Sequence, residues 1–105
     1  MATAIAKRRI TPETKAVETL LSKHFNRVEA YRFSAASIRL RIIDERFRGL
    51  RKSARLDMVE RWLAKLPKET ETDIIFIVPI AAGEEKLPDF AQMNRDFEHP
   101  RKTRL

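Results

Sequence analysis

The segment from Phe47 to Leu66 constrains the fold most, because a strand-like pattern gives way there to a helical one at a glycine. Gly49 has no Cβ and can adopt the positive φ that such a change of direction often requires. Beyond it, apolar residues recur at the three- and four-residue spacing of one helical face, which Trp62 widens. These residues are Leu56, Val59, Leu63 and Leu66. The pattern predicts a central amphipathic helix on which the other elements pack.

Ser53 is the expected N-cap of this central helix, since its hydroxyl can accept a hydrogen bond from a free amide of the first turn. Arg55 and Arg61 fall on the side opposite the leucines, so we expect both to face solvent. Pro67 disfavours helical geometry in the residue before it and should end the helix at Leu66.

A second amphipathic helix is predicted near the amino end. Residues 1–10 contain Lys7, Arg8 and Arg9 without any period, and they are interpreted as a flexible basic arm. Thr11, Pro12 and Glu13 then start a helix with a hydroxyl cap, a proline at the first position and an acid near the positive end of the dipole. Its apolar stripe consists of Val17, Leu20, Leu21 and Phe25. His24, beside that stripe, is interpreted as a half-buried ring and not as a metal ligand.

Alternation with a period of two predicts a pair of strands from Val28 to Ile43 around the linker Ser34 to Ser37. We expect an antiparallel hairpin. In its second strand the isoleucines and leucine at 38, 40 and 42 share one face, while Arg39 and Arg41 share the other. The first face should therefore be buried and the second should be cationic and exposed to solvent.

The carboxyl half predicts a charged loop from Lys68 to Thr72 and then a strand, Ile74 to Val78, whose uninterrupted apolar run is typical of burial on both faces. The link through the central helix is a crossover, which places this strand parallel to the one before it. Further apolar residues suggest a short amphipathic helix before a basic tail from His99 to Leu105. These are Pro88, Phe90, Met93 and Phe97.

The element order predicts an α+β fold of the form αββαβ(α). It is a two-layer sandwich in which helices cover one face of a three-stranded mixed sheet. The expected organisation is a flexible arm at 1–10, a folded domain at 11–82 and a carboxyl-terminal extension at 83–105. With 105 residues, one domain with a radius of gyration of roughly 13 Å is the natural size. The chain has no cysteine and no apolar run of the ~20 residues that a membrane span requires, so we expect a cytoplasmic protein that does not engage a membrane.

Phe47-x-Gly49 and Arg55-x-x-Met58-Val59, in this order of elements, resemble the BolA-like proteins, whose fold is related to the class II KH domain. The resemblance covers roughly Thr11 to Ala82. It implies two activities. One is pairing with monothiol glutaredoxins around a [2Fe–2S] cluster, and the other is contact with nucleic acid.

The residues that hold the family's cluster are not found at the matching positions. The family's helix arginine is normally followed by a histidine, whereas Arg55 is followed by Leu56. Family members place a second histidine or cysteine between the first two strands, and the linker Ser34 to Ser37 has neither. Iron–sulfur clusters need thiolate or imidazole donors, and His24 and His99 lie elsewhere. We therefore expect no cofactor and no metal site.

Basic residues are concentrated between residues 39 and 55, where seven cations and two acids give a net charge of +5 out of +7 for the whole chain. This predicts a surface for the phosphates of DNA or RNA. The glycine pair of the KH clamp is missing, because the only glycines are Gly49 and Gly83. Binding should therefore follow the backbone and not the base sequence. The predicted nucleic-acid-binding residues are Arg39, Arg41, Arg46, Arg48, Arg51, Lys52 and Arg55.

Two other interpretations of these cations stay open. The basic residues can form a solvated face with no ligand. Alternatively, the protein is an interaction adaptor that keeps the BolA-like surface without the cluster and contacts a protein partner through the apolar residues of the last segment. DNA versus RNA, the partner and the oligomeric state are not determined by the sequence.

Catalysis is not expected. No glycine-rich phosphate loop, zinc-protease helix or nucleophile elbow occurs in the chain. The acidic pairs Asp44-Glu45 and Glu84-Glu85 are interpreted as solubilising charges at strand ends or in loops. The sequence therefore predicts a small regulatory or binding module and not an enzyme.

Overall fold

The computed structural model describes residues 9–100. The predicted arm up to residue 8 and the predicted tail from residue 101 lie outside the described residues. The described chain forms four helices and three strands, with single 3₁₀ turns at Glu45–Phe47 and Glu84–Lys86. In chain order these are α1 (Pro12–Ser22), β1 (Arg27–Ser34), β2 (Ser37–Ile43), α2 (Lys52–Leu63), α3 (Lys68–Asp73), β3 (Ile74–Ile80) and α4 (Pro88–Glu98).

The strands form one mixed sheet in the order β1-β2-β3. β1 and β2 are antiparallel, with Ala30 opposite Leu40, and β2 and β3 are parallel, with Ile43 opposite Ile80. The predicted hairpin and the parallel crossover through the central helix are both confirmed. Arg9 adds an isolated bridge to the free side of β1, where its carbonyl accepts a hydrogen bond from the Arg32 amide at 2.8 Å.

α1 begins as its sequence predicts. The Thr11 hydroxyl accepts a hydrogen bond from the Thr14 amide, and the Thr14 hydroxyl in turn accepts one from the Thr11 amide, a reciprocal capping box. Pro12 occupies the first turn, and Val17 and Leu21 are fully buried against the sheet. Local chemistry accounts for where this helix begins.

Helices cover both faces of the sheet, so the prediction of a single covered face was wrong. α1 and α2 pack on one face over a core that includes the alternating residues of β2, which are Ile38, Leu40 and Ile42. α4 packs on the opposite face, over a second core of Tyr31, Val78, Ile80, Phe90 and Phe97. The fold is therefore a three-layer arrangement in which the sheet lies between helices.

α4 confirms the predicted last helix and is part of the folded core. The Tyr31 hydroxyl donates a hydrogen bond to the Phe97 carbonyl, and the two rings meet edge to face with centroids 5.0 Å apart. Phe97 is fully buried and Phe90 is 7% exposed. The aromatic residues of the last segment therefore stabilise the fold and are not free to contact a partner.

Two local predictions were wrong. α2 begins at Lys52, with Arg51 in the cap position, so Ser53 lies inside the first turn and does not cap. Residues 68–73 form the helix α3 and not a loop. Glu69 and Glu71 lie in its first turn, where the positive end of the dipole favours acids. Its sequence has no apolar period, which is why it was not predicted.

β3 is an edge strand, and its burial is uneven. Val78 is fully buried as predicted, but Ile75 is 64% exposed. The pairing with β2 shifts by one residue between Ile38 and Arg39, so that Ile75 lies opposite no residue of β2. Such a bulge at a sheet edge interrupts the flat row of backbone groups that would pair with another strand.

Candidate nucleic-acid interface

The seven predicted binding residues lie in three different environments, so they do not form one surface. Arg55 is 2% exposed and lies in the interior, on the same face of α2 as Val59 and Leu63. The prediction that Arg55 faces solvent was wrong. The inner face of α2 starts one residue before the predicted leucine stripe, and Leu56 is only half-buried.

Arg55 makes hydrogen bonds through all three of its guanidinium nitrogens. Its two terminal nitrogens donate to the two carboxylate oxygens of Glu84 at 2.6 and 3.1 Å, and its Nε donates to the Leu50 carbonyl at 2.8 Å. The guanidinium also donates to the Pro79 carbonyl and lies 4.5 Å from the centre of the Phe90 ring. These bonds join the turn before α2 to β3 and to the start of α4. Arg55 therefore stabilises the fold and is not available to phosphate.

Arg41 is also buried, at 8% exposure, because α4 covers the face of β2 that was predicted to be open. Its guanidinium donates to Glu29 at 2.6 Å, to the Asn94 side chain at 2.7 Å and to Glu98 at 2.8 Å. The guanidinium carbon of Arg41 lies 4.7 Å from the centre of the Phe97 ring. This charge is compensated inside the protein.

Arg39, on the same strand, is half-buried beside the last turn of α4. Its guanidinium carbon lies 4.3 Å from the centre of the Phe33 ring and 5.0 Å from that of Phe76, and one terminal nitrogen donates to the Asp96 carbonyl at 3.1 Å. Its Nε is the one buried side-chain polar atom without a hydrogen bond in residues 9–100. The predicted cationic face of β2 thus holds one buried arginine paired with partly exposed acids and one arginine packed on aromatic rings.

Arg46 and Arg48 are exposed, and each bonds to an acid close in sequence. Arg46 donates to Asp44 at 3.0 Å and to the carbonyl of His24. Asp44 is only 6% exposed, and the bonds from the Arg46 side chain lower its pKa. Arg48 donates to both oxygens of Glu45 at 2.9 Å, which lowers the pKa of Glu45. Both arginines keep part of the guanidinium at the surface, where a neighbouring phosphate can still approach.

Arg51 and Lys52 are the exposed cations of the predicted set that make no ion pair within the described chain. They flank the start of α2, two residues after Gly49, whose φ of 84° turns the chain towards the helix. The Lys52 ammonium lies 5.7 Å from the centre of the Phe90 ring. We define a candidate phosphate surface, called the phosphate surface below, as Arg46, Arg48, Arg51, Lys52 and the first turn of α2.

The first turn of α2 differs electrostatically from those of the other three helices described. α1, α3 and α4 each carry an acid in the first turn, namely Glu13, Glu69 with Glu71, and Asp89. α2 carries none, and no side chain in residues 9–100 caps it. The first amides of a helix have no partner within the helix, and they form the positive end of its dipole. Arg51 and Lys52 therefore stand at a positive helix end whose first turn holds no acid.

Two buried acids, Glu84 and Asp44, form ion pairs with arginines of the predicted binding set, and the sequence did not identify them as partners. Glu84 is 4% exposed, and bonds from Arg55 lower its pKa. Asp44 caps the 3₁₀ turn by accepting from the Arg46 amide, and it also accepts from the Asn26 amide at 2.9 Å. The interpretation of both as solubilising charges was wrong, although Glu45 is exposed as expected. Asp44 stands directly before a turn and could have been read as a cap, whereas no local signal marks Glu84.

His24 is half-buried, as predicted, and stacks on Trp62 with ring centroids 3.5 Å apart and planes 8° from parallel. No group of histidine, aspartate or glutamate side chains within residues 9–100 has the arrangement of a metal site. Over the same residues, no helix combines the length and apolarity of a membrane span.

Comparisons with protein-family models, with curated proteins and with solved structures found no match to this chain.

Proposed function

We propose that this protein is a small, non-catalytic module of BolA-like, class II KH-like architecture that binds nucleic acid through backbone phosphates at the phosphate surface. The observation that carries the proposal is the start of α2, where Arg51 and Lys52 flank free amides at a positive helix end without an acid or a side-chain cap. Oxygen anions are the ligands that such helix ends bind. A phosphate bridging the first turn would supply the missing negative charge.

The family assignment is supported by the order of elements and by the position of the glycine turn. A helix, a hairpin, a turn with Gly49 at positive φ, a helix, a parallel strand and a last helix follow one another along the chain. The cluster chemistry of the family is not part of the proposal. Leu56 stands at the position of the ligand histidine, and no cofactor is assigned.

The test is the salt dependence of binding to a labelled single strand of mixed sequence, measured by fluorescence anisotropy. Log affinity should fall linearly with log salt concentration, with a slope of about −0.7 for each phosphate contacted. Arg51→Ala with Lys52→Ala should remove about two contacts and flatten the slope by about 1.4. Changing the strand's sequence should have little effect, because phosphate contacts carry no base information.

The matched control is Arg61→Ala with Lys68→Ala, which removes one arginine and one lysine from exposed positions beyond the first turn of α2. It should leave the slope unchanged. Arg48 is kept intact in both variants, because its removal would leave Glu45 unpaired and add local negative charge. Equal slopes for the two double variants would refute the phosphate surface.

The basic arm is a competing source of salt dependence. Deleting residues 1–8 removes Lys7 and Arg8 but keeps Arg9, whose carbonyl bonds to β1. If this deletion abolishes binding while Arg51→Ala with Lys52→Ala does not affect it, the surface at α2 is only a solvated face.

A protein-interaction adaptor is the second candidate. Leu50 and Leu87 are 38% and 47% exposed, and they belong to the two segments that the Arg55–Glu84 pair joins. A contact made through these leucines would bury apolar area and should be insensitive to salt. Leu50→Ser with Leu87→Ser would weaken such a contact and leave phosphate binding intact.

A further inference from the structure

Arg39 differs from the other arginines of residues 9–100 that are buried or half-buried, because it has no carboxylate partner. The other three each have a nitrogen within 3.1 Å of a glutamate or aspartate oxygen, and they are Arg32, Arg41 and Arg55. A charge that is largely removed from water is costly unless an opposite charge compensates it. The position of Arg39 therefore favours a ligand that supplies the missing carboxylate.

The unbonded nitrogens of Arg39 lie along one edge of its guanidinium. Nη1 donates to the Asp96 carbonyl at 3.1 Å, whereas Nε and Nη2 make no hydrogen bond within the described chain. These two nitrogens carry parallel N–H bonds, and such a fork binds both oxygens of a carboxylate. Arg48 shows this geometry in the same protein, since its Nε and Nη2 donate to the two oxygens of Glu45 at 2.9 Å.

Apolar side chains flank the guanidinium of Arg39. Its central carbon lies 4.3 Å from the centre of the Phe33 ring and 5.0 Å from that of Phe76, and both phenylalanines are half-buried at the margin of the second core. Ile75, next to Phe76 in the chain, is 64% exposed. We call Phe33, Arg39, Ile75 and Phe76 the arginine patch. Because the rings are only half-buried, they can turn aside as a carboxylate enters and give Nε its acceptor.

The surroundings of Arg39 favour a peptide carboxylate over nucleic acid. Nucleic acid presents a row of phosphates and is bound by several cations together, as proposed for the phosphate surface. That surface follows the end of β2, whereas Arg39 lies near the start of this strand, so the two sites are separate. One arginine among apolar side chains fits one carboxylate that has apolar neighbours of its own. Aromatic residues and arginine are also the side chains enriched at protein interfaces.

We propose that the arginine patch docks an acidic peptide segment of a partner protein, in which an aspartate or glutamate stands between apolar residues. The carboxylate accepts from Nε and Nη2 of Arg39, and its apolar neighbours pack on Phe33, Ile75 and Phe76. This inference does not depend on the phosphate surface.

The test is a titration of the full chain with the capped peptide acetyl-Leu-Glu-Leu-amide, observed in ¹H–¹⁵N correlation spectra of the arginine Nε–H groups. The Arg39 signal is assigned as the one that Arg39→Met removes. The peptide should shift this signal. The matched peptide acetyl-Leu-Gln-Leu-amide, which lacks only the charge, should bind roughly tenfold more weakly or not at all, because bonds to a charged acceptor are the stronger ones. Acetate and inorganic phosphate at equal ionic strength lack the apolar neighbours and should shift the signal less.

Arg39→Met is the decisive variant, because it keeps an unbranched apolar side chain beside the rings and removes the donors. It should abolish peptide binding, observed at the Phe76 backbone amide. It should not lower the urea midpoint, because the charge that it removes has no carboxylate partner. Arg39→Lys keeps the charge without the fork, should also weaken binding, and serves if Arg39→Met does not fold. Arg95→Met, the same change at an exposed arginine without an ion pair, should leave binding and midpoint unchanged.

Equal binding of the glutamate and glutamine peptides would overturn the proposal, as would undiminished binding by Arg39→Met. Inorganic phosphate that shifts the Arg39 signal as much as the glutamate peptide does would show a general anion site and not a peptide site. A lowered midpoint for Arg39→Met, with no shift by either peptide, would show that Arg39 only stabilises the fold. None of these results bears on the salt dependence expected from Arg51 and Lys52.

Discussion

Replacing Glu84 by glutamine is expected to destabilise the protein severely, although the change in shape is minimal. Glu84 and Arg55 have side chains that are 6% and 2% exposed, and they make two parallel hydrogen bonds. Glu84 Oε1 also accepts from the Ala81 amide at 2.8 Å. A glutamine keeps its oxygen at that shared position, so its NH₂ group faces a terminal nitrogen of Arg55 that is itself a donor. The variant loses one hydrogen bond and leaves the guanidinium buried without a counter-charge.

The expected cost is about 3–5 kcal/mol, the usual result of removing one partner from a buried ion pair. The free energy of unfolding of a small domain is about 5–15 kcal/mol, so the variant should lose a large share of its stability. In urea, with a denaturant slope of about 1–3 kcal/mol/M, the midpoint should fall by roughly 2 M. Circular dichroism of the helices is a suitable signal.

The matched control is Glu45→Gln, the same substitution in a pair whose side chains are 51% and 61% exposed. Water already solvates both charges there, so the midpoint should stay close to that of the unmodified protein. Arg55→Met combined with Glu84→Gln should cost less than the sum of the single changes, because it removes both buried charges. If Glu84→Gln costs no more than Glu45→Gln, the argument that Arg55 is a compensated interior charge is refuted.

Three further outcomes are expected. Leu63→Ala should lower the free energy of unfolding by about 2–5 kcal/mol, because Leu63 is 4% exposed in the core. Arg61→Ala, at an exposed position of the same helix, should not move the urea midpoint. Equal midpoints for the two variants would contradict the packing of α2. Acid should destabilise the protein. Hydrogen bonds from Arg55 and Arg46 lower the pKa values of Glu84 and Asp44, so their stabilisation is complete above the ordinary carboxyl range of about 4 and is lost as the pH falls through the lowered folded values. Urea midpoints from neutral pH to about pH 3 measure this loss, and a pH-independent midpoint would contradict it. His24→Ala should cost about 0.5–1.5 kcal/mol by removing the stack on Trp62, and an unchanged midpoint would show that the stack contributes nothing.

The phosphate surface depends on the segment after β3. Arg48 bonds to the Ala82 carbonyl, and Glu84 holds Arg55 at the start of α2. A change in this segment would therefore alter the phosphate surface. This connection is a reason to test that surface with the exposed Arg51 and Lys52, which leave the Arg55–Glu84 pair intact.

Secondary structure was predictable wherever neighbouring residues determine it. The hairpin follows from a period of two in β2, and the start of α1 follows from Thr11 and Pro12, which act within one turn. α4 follows from the helical spacing of Phe90, Met93 and Phe97. The mixed sheet followed from the order of these elements, because a crossover connection favours parallel strands.

Which charges face water was decided by the tertiary structure alone. Arg55 has the same chemistry as Arg61 on the same helix, and it is buried because Glu84 approaches from 29 residues away. Arg41 was predicted to be exposed because the sheet was expected to have one open face. It is buried because α4 covers that face and brings Asn94 and Glu98 from 53 and 57 residues away. An arginine is stable in the interior only when acceptors compensate its charge, and no local pattern states where distant acceptors will lie. Counting charges along the sequence therefore located a basic region, whereas the packing of α4 and β3 determined which of its cations remain for a phosphate.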